Sequence, residues 1–335
     1  VLGNCQPGLS LAKLRGMHHE SQASTSAPTR ALPARLALYL GEMYPPVPSL
    51  LISLFSFYNL YFFVAVLRGE SLGVNRASLA GAFTIFLFLL FLRISDELKD
   101  AESDKVLFPH RLVPSGQVLL SDLKLLMGLT IALMLGLNLF VTGALWAFLI
   151  LFGFGLLMLN YFFLRGLISK SLLLALISHN PSVLLMNLYI LAVYVAGHPN
   201  FHWRSEYLPL LLIFWLPGLA WELSRKLKAP QDENEYETYS RIFGYRLGAF
   251  LPMLVISLHY CLLMSFILRA AFSPWFVLGM TLAVVVVLSF FFLFILRPSS
   301  KTARLKPFME GYMLINALGL LLELVVRRGL IWQIL

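Results

Sequence analysis

The stretch 93-RISDELKDAESDKVLFPHRLVPSG-116 decides how this chain is read. It continues the apolar run 83-FTIFLFLLFL-92 without a break. A helix leaving a bilayer thus carries Asp96, Glu97, Asp100, Glu102 and Asp104, then enters a basic loop bounded by prolines. Residues spaced by four share one helix face and rise about 6 Å per step, so Asp96, Asp100 and Asp104 form a row. Like charges at that spacing repel. Lys99 and Lys105 are too few to neutralise the row. A solvated helix end is the plain reading. A divalent-cation site accounts for the row better, and Mg²⁺ suits it: that ion takes one or two carboxylates and completes its shell with water and phosphate oxygens.

A second charged link, 221-WELSRKLKAPQDENEYETYSRIFGYR-246, also hangs from the end of an apolar run. Glu222 opens it, Arg225, Lys226 and Lys228 follow, and then Asp232, Glu233, Glu235 and Glu237. Together the two links hold ten of the 17 acidic residues. Two carboxylate groups with cations between them can hold a polyanion through bridging metal, the Lys and Arg side chains binding outer phosphate oxygens directly.

The rest of the chain puts these links at a membrane surface. Of its 335 residues 59% are hydrophobic, and the mean hydropathy is +0.79. Apolar runs long enough to cross a hydrocarbon core of about 30 Å recur throughout. The expected fold is all-α: a polytopic membrane bundle of nine spans near 47–67, 78–94, 118–141, 145–164, 171–196, 208–223, 244–269, 275–296 and 311–332. Residues 1–35 show no apolar period and no secretory core, and are expected to form a disordered tail, with Met17 a possible natural start. Residues 36–335 then form one membrane domain. Cys5 and Cys261 are far apart and imply neither a disulfide framework nor a thiolate metal site.

The net charge of +9 follows the membrane, not nucleic acid. With the N-terminal segment inside, all 26 Lys and Arg except Arg68, Arg76, Arg204, Arg269, Arg327 and Arg328 fall on the inner side. The positive-inside rule places both acidic links in the cytoplasm, at the inner membrane if the protein is bacterial. An apolar bundle with a metal–polyanion site at its inner mouth fits a substrate with an apolar tail and a phosphate head. An allylic isoprenyl diphosphate is such a molecule. Metal and cations stabilise the departing diphosphate, and aromatic faces (14% of residues) are available to the allylic cation.

At this point the chain resembles the UbiA superfamily of intramembrane prenyltransferases. That family has nine helices and two Asp-rich motifs, on the loops after helices two and six. Its first motif, N-D-x-x-D-x-x-x-D followed by a segment like N-R-P-x-P-x-G, is similar to Asp96-Glu97-x-x-Asp100-x-x-x-Asp104 and to Phe108-Pro109-His110-Arg111-Leu112-Val113-Pro114-Ser115-Gly116. Asp96 stands where the family has Asn, and Glu97 where it often has Asp. The second motif, usually Asp at four-residue spacing, is here Glu222 and then Asp232, Glu233 and Glu235. The family's Tyr-x-x-x-Lys-Arg stretch resembles 161-YFFLRG-166, with Arg165 alone and Lys170 nearby.

The resemblance implies Mg²⁺ held by Asp96, Glu97, Asp100, Asp104, Glu222, Asp232, Glu233 and Glu235, with Asp96, Asp100, Asp104 and Asp232 central to catalysis. Lys99, Arg111, Arg165, Lys170, Arg225 and Lys226 are the expected diphosphate ligands. Polar residues inside spans usually face the bundle, so Asn59, Asn160, His179 and Asn180, with Tyr239, are expected at the pocket. Pro181 is expected to kink the fifth span. The implied activity is transfer of a prenyl group to an acceptor, expected to be an aromatic ring, with release of pyrophosphate. The alternative is a terpene cyclase, in which the chain's own double bonds capture the cation. A transporter fits less well, because its ionisable groups belong near the midplane between internal repeats.

Overall fold

The computed structural model describes residues 30–234, 237–268, 270 and 272–333. Most of the tail expected over 1–35, with Cys5 and Met17, therefore lies outside the described residues, as do Glu235 and Arg269. From Leu32 onward the chain is already helical.

Helix α1 (Leu32–Met43) lies ahead of the first span. Its Tyr39 is buried with Leu90, Ile94 and Leu123 of the neighbouring helices. The spans follow in chain order: α2 (Pro46–Arg68), α3 (Arg76–Leu107), α4 (Leu120–Phe140) and α5 (Leu145–Leu159). A short helix α6 (Arg165–Ile168) leads to the fifth span, α7 (Leu172–His179) plus α8 (Pro181–Ala196). The sixth is α9 (Tyr207–Ile213) plus α10 (Leu216–Ser224). After α11 (Tyr239–Phe243) come α12 (Tyr245–Ile267), α13 (Pro274–Leu296) and α14 (Lys306–Arg328). Among the described residues, 8 of these segments are long and apolar enough to cross a bilayer. The ninth apolar helix, α5, has 15 residues. The all-helical multispan fold expected from the sequence is thus present.

Local chemistry explains the helix ends. At the start of α3, Asn75 Oδ1 accepts from the Ser78 amide at 2.8 Å and Ser78 Oγ accepts from the Asn75 amide at 3.0 Å. This reciprocal pair satisfies two amides that the first turn leaves without intrahelical partners. The fifth span breaks at Asn180 because Pro181 has no N–H to donate and its ring clashes with the preceding turn. The helix is interrupted at the expected position, with His179 and Asn180 at the break. The last span ends earlier than the expected 332. Gly329 adopts φ +72° after Arg328, and a short strand β2 (Ile331–Gln333) pairs in parallel with β1 (Gly73–Asn75).

The spans pack through close contacts and buried polar bridges. A Cβ on Gly81 would lie 2.6 Å from Phe57 and 3.3 Å from Val193, so α2, α3 and α8 meet where only glycine fits. Asn138 of α4 donates to Thr84 at 3.0 Å and accepts from the Tyr189 hydroxyl at 2.7 Å. In lipid, such interhelical bonds average about 0.6 kcal/mol. Arg35 clamps α1 to α4 through both Asp122 oxygens, at 2.7 and 2.8 Å. The large apolar side chains left exposed, among them Leu129, Leu133 and Phe292, form the surface that faces lipid.

Candidate functional site

Helix α3 runs on through the acidic stretch to Leu107 and sets Asp96, Asp100 and Asp104 on successive turns of one face. Each acid of this stretch is engaged. Lys99 Nζ sits 3.0 Å from Asp96 Oδ1. Arg93 pairs with the buried Glu97. Arg111 Nη1 donates to Asp104 Oδ2 at 2.8 Å and its guanidinium covers the Phe108 ring at 3.8 Å. The Tyr161 hydroxyl donates to Asp100 Oδ1 at 3.0 Å. Beside the Arg93–Glu97 pair lies the Tyr39 hydroxyl, buried and without a hydrogen-bond partner among the described residues. Burial pushes its pKa up.

Tyr161 was not among the predicted site residues, although it opens the quoted stretch 161-YFFLRG-166. Lys99 Nζ and Arg165 Cζ lie 5.0 and 5.6 Å from its ring centroid. Its backbone explains its reach. Tyr161, Phe162 and Phe163 take φ values of 49°, 51° and 61°. For residues with a Cβ this left-handed turn costs roughly 1–2 kcal/mol each. Strain of this kind is typical of sites that must hold one geometry.

A cavity of about 40 Å³ lies between the two charged links. Asp96 enters it from α3, His179 and Asn180 from the break in the fifth span, and Glu222, Arg225 and Lys226 from α10. Leu92, Met158 and Leu176 supply an apolar wall. The Glu222 carboxylate accepts from Arg225 Nε at 2.6 Å and from Nη2 at 2.8 Å, with Lys226 Nζ 3.5 Å away. Glu222 and Lys226 are buried, and Arg225 is mostly so. Asn180 Oδ1 accepts from the Trp215 indole N–H. His179 Nδ1 lies 2.9 Å from both the Ala175 carbonyl oxygen and Ser178 Oγ, while its buried Nε2 has no hydrogen-bond partner among the described residues.

Several predicted residues stand elsewhere. Asp232 is exposed and accepts from Ser300 at 2.9 Å. Glu233 accepts from Thr238 Oγ1 at 2.9 and 2.8 Å. The physical reason is local: α10 stops at Ser224, and the 3₁₀ turn Pro230–Asp232 brings Asp232 to the link after α13 and leaves Glu233 beside Thr238, neither of them lining the cavity. Glu237 accepts from the Leu172 amide at 2.8 Å, an anion at the N-terminus of α7. Asn59 donates to the Ala317 carbonyl and holds α2 to α14. Asn160 is exposed and bonds back to Leu156 of its own helix. Tyr239 is buried beneath Lys226, its amide donating to that residue's carbonyl at 3.1 Å, and does not line the cavity. Arg165 and Lys170 are exposed outside the cavity wall. Among the described residues, no group of three or more His, Cys, Asp or Glu side chains is arranged to hold a metal ion.

No family model matches the chain, and no curated protein matches it in sequence. Among solved structures, one concerned with digeranylgeranylglyceryl phosphate synthase in membranes aligns with a TM-score of 0.59. The alignment covers 88% of this chain and 99% of that one, at 18% identity. A likeness at that identity speaks for the fold.

Proposed function

We propose that this chain is an intramembrane prenyltransferase: it ionises an allylic isoprenyl diphosphate, releases pyrophosphate and passes the prenyl group to an acceptor. One observation carries the reading. A single cavity connects the Asp96 face of α3 with the Arg225–Lys226 pair of α10, at one end of an apolar bundle. The fold shared with a structure of digeranylgeranylglyceryl phosphate synthase supports a prenyl donor.

Arg225 and Lys226 bind the outer oxygens of the diphosphate, and Lys99 adds a third cation beside Asp96. Glu222 holds the guanidinium in place. Leu92, Met158 and Leu176 keep water from the allylic end. The donor set fits Mg²⁺ in a limited way. Asp96 and Asp100 offer two carboxylates one turn apart, and an ion that arrives with phosphate oxygens needs no preformed three-residue cage. When bound there, Mg²⁺ supplies Lewis-acid stabilisation of the leaving pyrophosphate. Glu222 fits the ion poorly, because both its oxygens are committed to Arg225. By the charge asymmetry of the links, the mouth faces the cytoplasm.

A terpene cyclase is the second reading. Its support is the position of Arg165 and Lys170, exposed and outside the cavity wall, where an acceptor-binding stretch is expected. The test is product analysis with purified protein in lipid nanodiscs, supplied with geranyl, farnesyl and geranylgeranyl diphosphate and Mg²⁺, with and without phenolic acceptors. Pyrophosphate release with a prenylated acceptor supports transfer. A cyclic product without acceptor supports the second reading. Absence of metal-dependent pyrophosphate release from every donor overturns both.

A further inference from the structure

Capture of an allylic cation always leaves a proton to be removed, and one imidazole in the cavity is built to take it. His179 sits at the Pro181 break, and its side chain lines the cavity shared with Asp96 and Glu222. Its Nδ1 lies 2.9 Å from the Ala175 carbonyl oxygen and 2.9 Å from Ser178 Oγ, which in turn lies 3.2 Å from the same carbonyl. A carbonyl only accepts, so the three contacts are all satisfied when the ring proton is on Nδ1 and the Ser178 hydroxyl donates to Ala175. Nε2 therefore carries the lone pair. That nitrogen is buried and has no hydrogen-bond partner among the described residues. An unsatisfied buried acceptor is costly, and the residue that carries it lines the cavity.

We infer that His179 Nε2 is the proton acceptor of this site, an inference that rests on the prenyl-diphosphate reading above. The C1–O bond of the diphosphate breaks, both electrons leaving with pyrophosphate. The acceptor's π or lone-pair electrons form the new bond to C1. Its ring C–H or O–H proton passes to Nε2, and the bonding electrons stay on the acceptor. Without an acceptor, Nε2 removes a proton from carbon next to the cation and a diene results. The imidazolium passes its proton to pyrophosphate or water at the cavity mouth. Asp96 and Glu222 are poorer bases here, because each is paired with a cation. The Phe162 ring, 6.5 Å from the imidazole and edge-on, helps keep water from the lone pair.

The experiment compares wild type, His179→Gln and His179→Ala with geranylgeranyl diphosphate, Mg²⁺ and no acceptor. It reads pyrophosphate release and, by gas chromatography, the ratio of hydrocarbon to alcohol products. Thermal unfolding in the same nanodiscs checks that each variant is folded. General-base catalysis typically contributes about 10²–10⁴-fold, so the hydrocarbon-to-alcohol ratio among the products formed should fall at least about tenfold in both variants. An unchanged ratio in folded variants overturns the inference and makes pyrophosphate the base. Loss of pyrophosphate release in the variants also overturns it, because His179 would then act on ionisation. No pyrophosphate from wild type overturns the prenyl-diphosphate reading itself.

Discussion

Glu222→Ala should destabilise this protein far more than an ordinary surface substitution. The Glu222 carboxylate receives two bonds from one guanidinium, at 2.6 and 2.8 Å, with Lys226 Nζ at 3.5 Å. Side-chain exposure is only 8% for Glu222, 11% for Arg225 and 6% for Lys226. Removing one member of a buried pair leaves an uncompensated charge and costs about 3–5 kcal/mol. Two cations lose their counter-ion here, but the cavity admits water, so the lower end, about 3 kcal/mol, is expected. Arg225→Met leaves Glu222 with Lys226 as partner and should cost less, about 1–3 kcal/mol. The double variant Glu222→Gln/Arg225→Met keeps the volumes and removes both charges. Residues in contact couple by roughly 0.5–3 kcal/mol, so its loss should be smaller than the sum of the single losses by about 2 kcal/mol. The assay is reversible denaturant unfolding in detergent micelles, followed by helical circular dichroism. A Glu222→Ala loss below about 1 kcal/mol, the range of exposed pairs, would refute the reasoning, and so would additivity within error.

Further outcomes test the site and the fold. Asp100→Ala should lower turnover about 10²–10³-fold with little change in expression, measured as pyrophosphate release; chelation by EDTA should abolish the same signal and Mg²⁺ restore it. Tyr161→Phe removes one hydrogen bond to Asp100, worth about 1 kcal/mol, and should raise the diphosphate KM about fivefold. Gly81→Leu forces a side chain against Phe57 and should cost about 1–3 kcal/mol or more in the same unfolding assay. At the opposite end of the bundle, burial pushes the Glu70 carboxyl up, but hydrogen bonds from Tyr194 and Arg68 and the nearby His198 more than reverse this, and its pKa lies below the usual 4.5. A lowered folded-state pKa gives stability that is present above the unfolded value and lost as pH falls through the folded one. Wild type should therefore lose more thermal stability than Glu70→Gln between pH 5 and pH 3, and equal losses would discard this account.

The fold was legible because lipid leaves a chain few options. Backbone groups without water must bond within helices, so apolar run length maps onto spans, and all nine expected positions contain an apolar helix. The ends were less legible. Nothing in the hydropathy of 311–332 marks the stop at Gly329, which depends on a positive φ and on pairing of Ile331–Gln333 with a strand some 250 residues earlier. Helix α1 was missed for the opposite reason: its 12 residues are too short to read as a span, and Arg35 finds its partner only when Asp122 arrives from another helix.

The site divides along the same line. The row Asp96, Asp100 and Asp104 follows from helical periodicity, a local property. Whether an acid is a ligand or a counter-ion depends on what lies within about 4 Å of it, the reach of an ion pair, and counting carboxylates along a chain does not reveal that. The second link shows the difference. Its acids looked equivalent in sequence, yet Glu222 alone of the described ones borders the cavity, while Asp232, Glu233 and Glu237 serve Ser300, Thr238 and the start of α7. With Glu222 tied to Arg225, that half of the cavity presents cations and not an open carboxylate. The two halves therefore bind a diphosphate by different means: α3 through carboxylates suited to a metal ion, and α10 through a guanidinium and an ammonium placed by their own acid. Such an arrangement should retain measurable affinity for inorganic pyrophosphate in EDTA, lost in Arg225→Met, whereas a site metal-bridged on both sides would retain none.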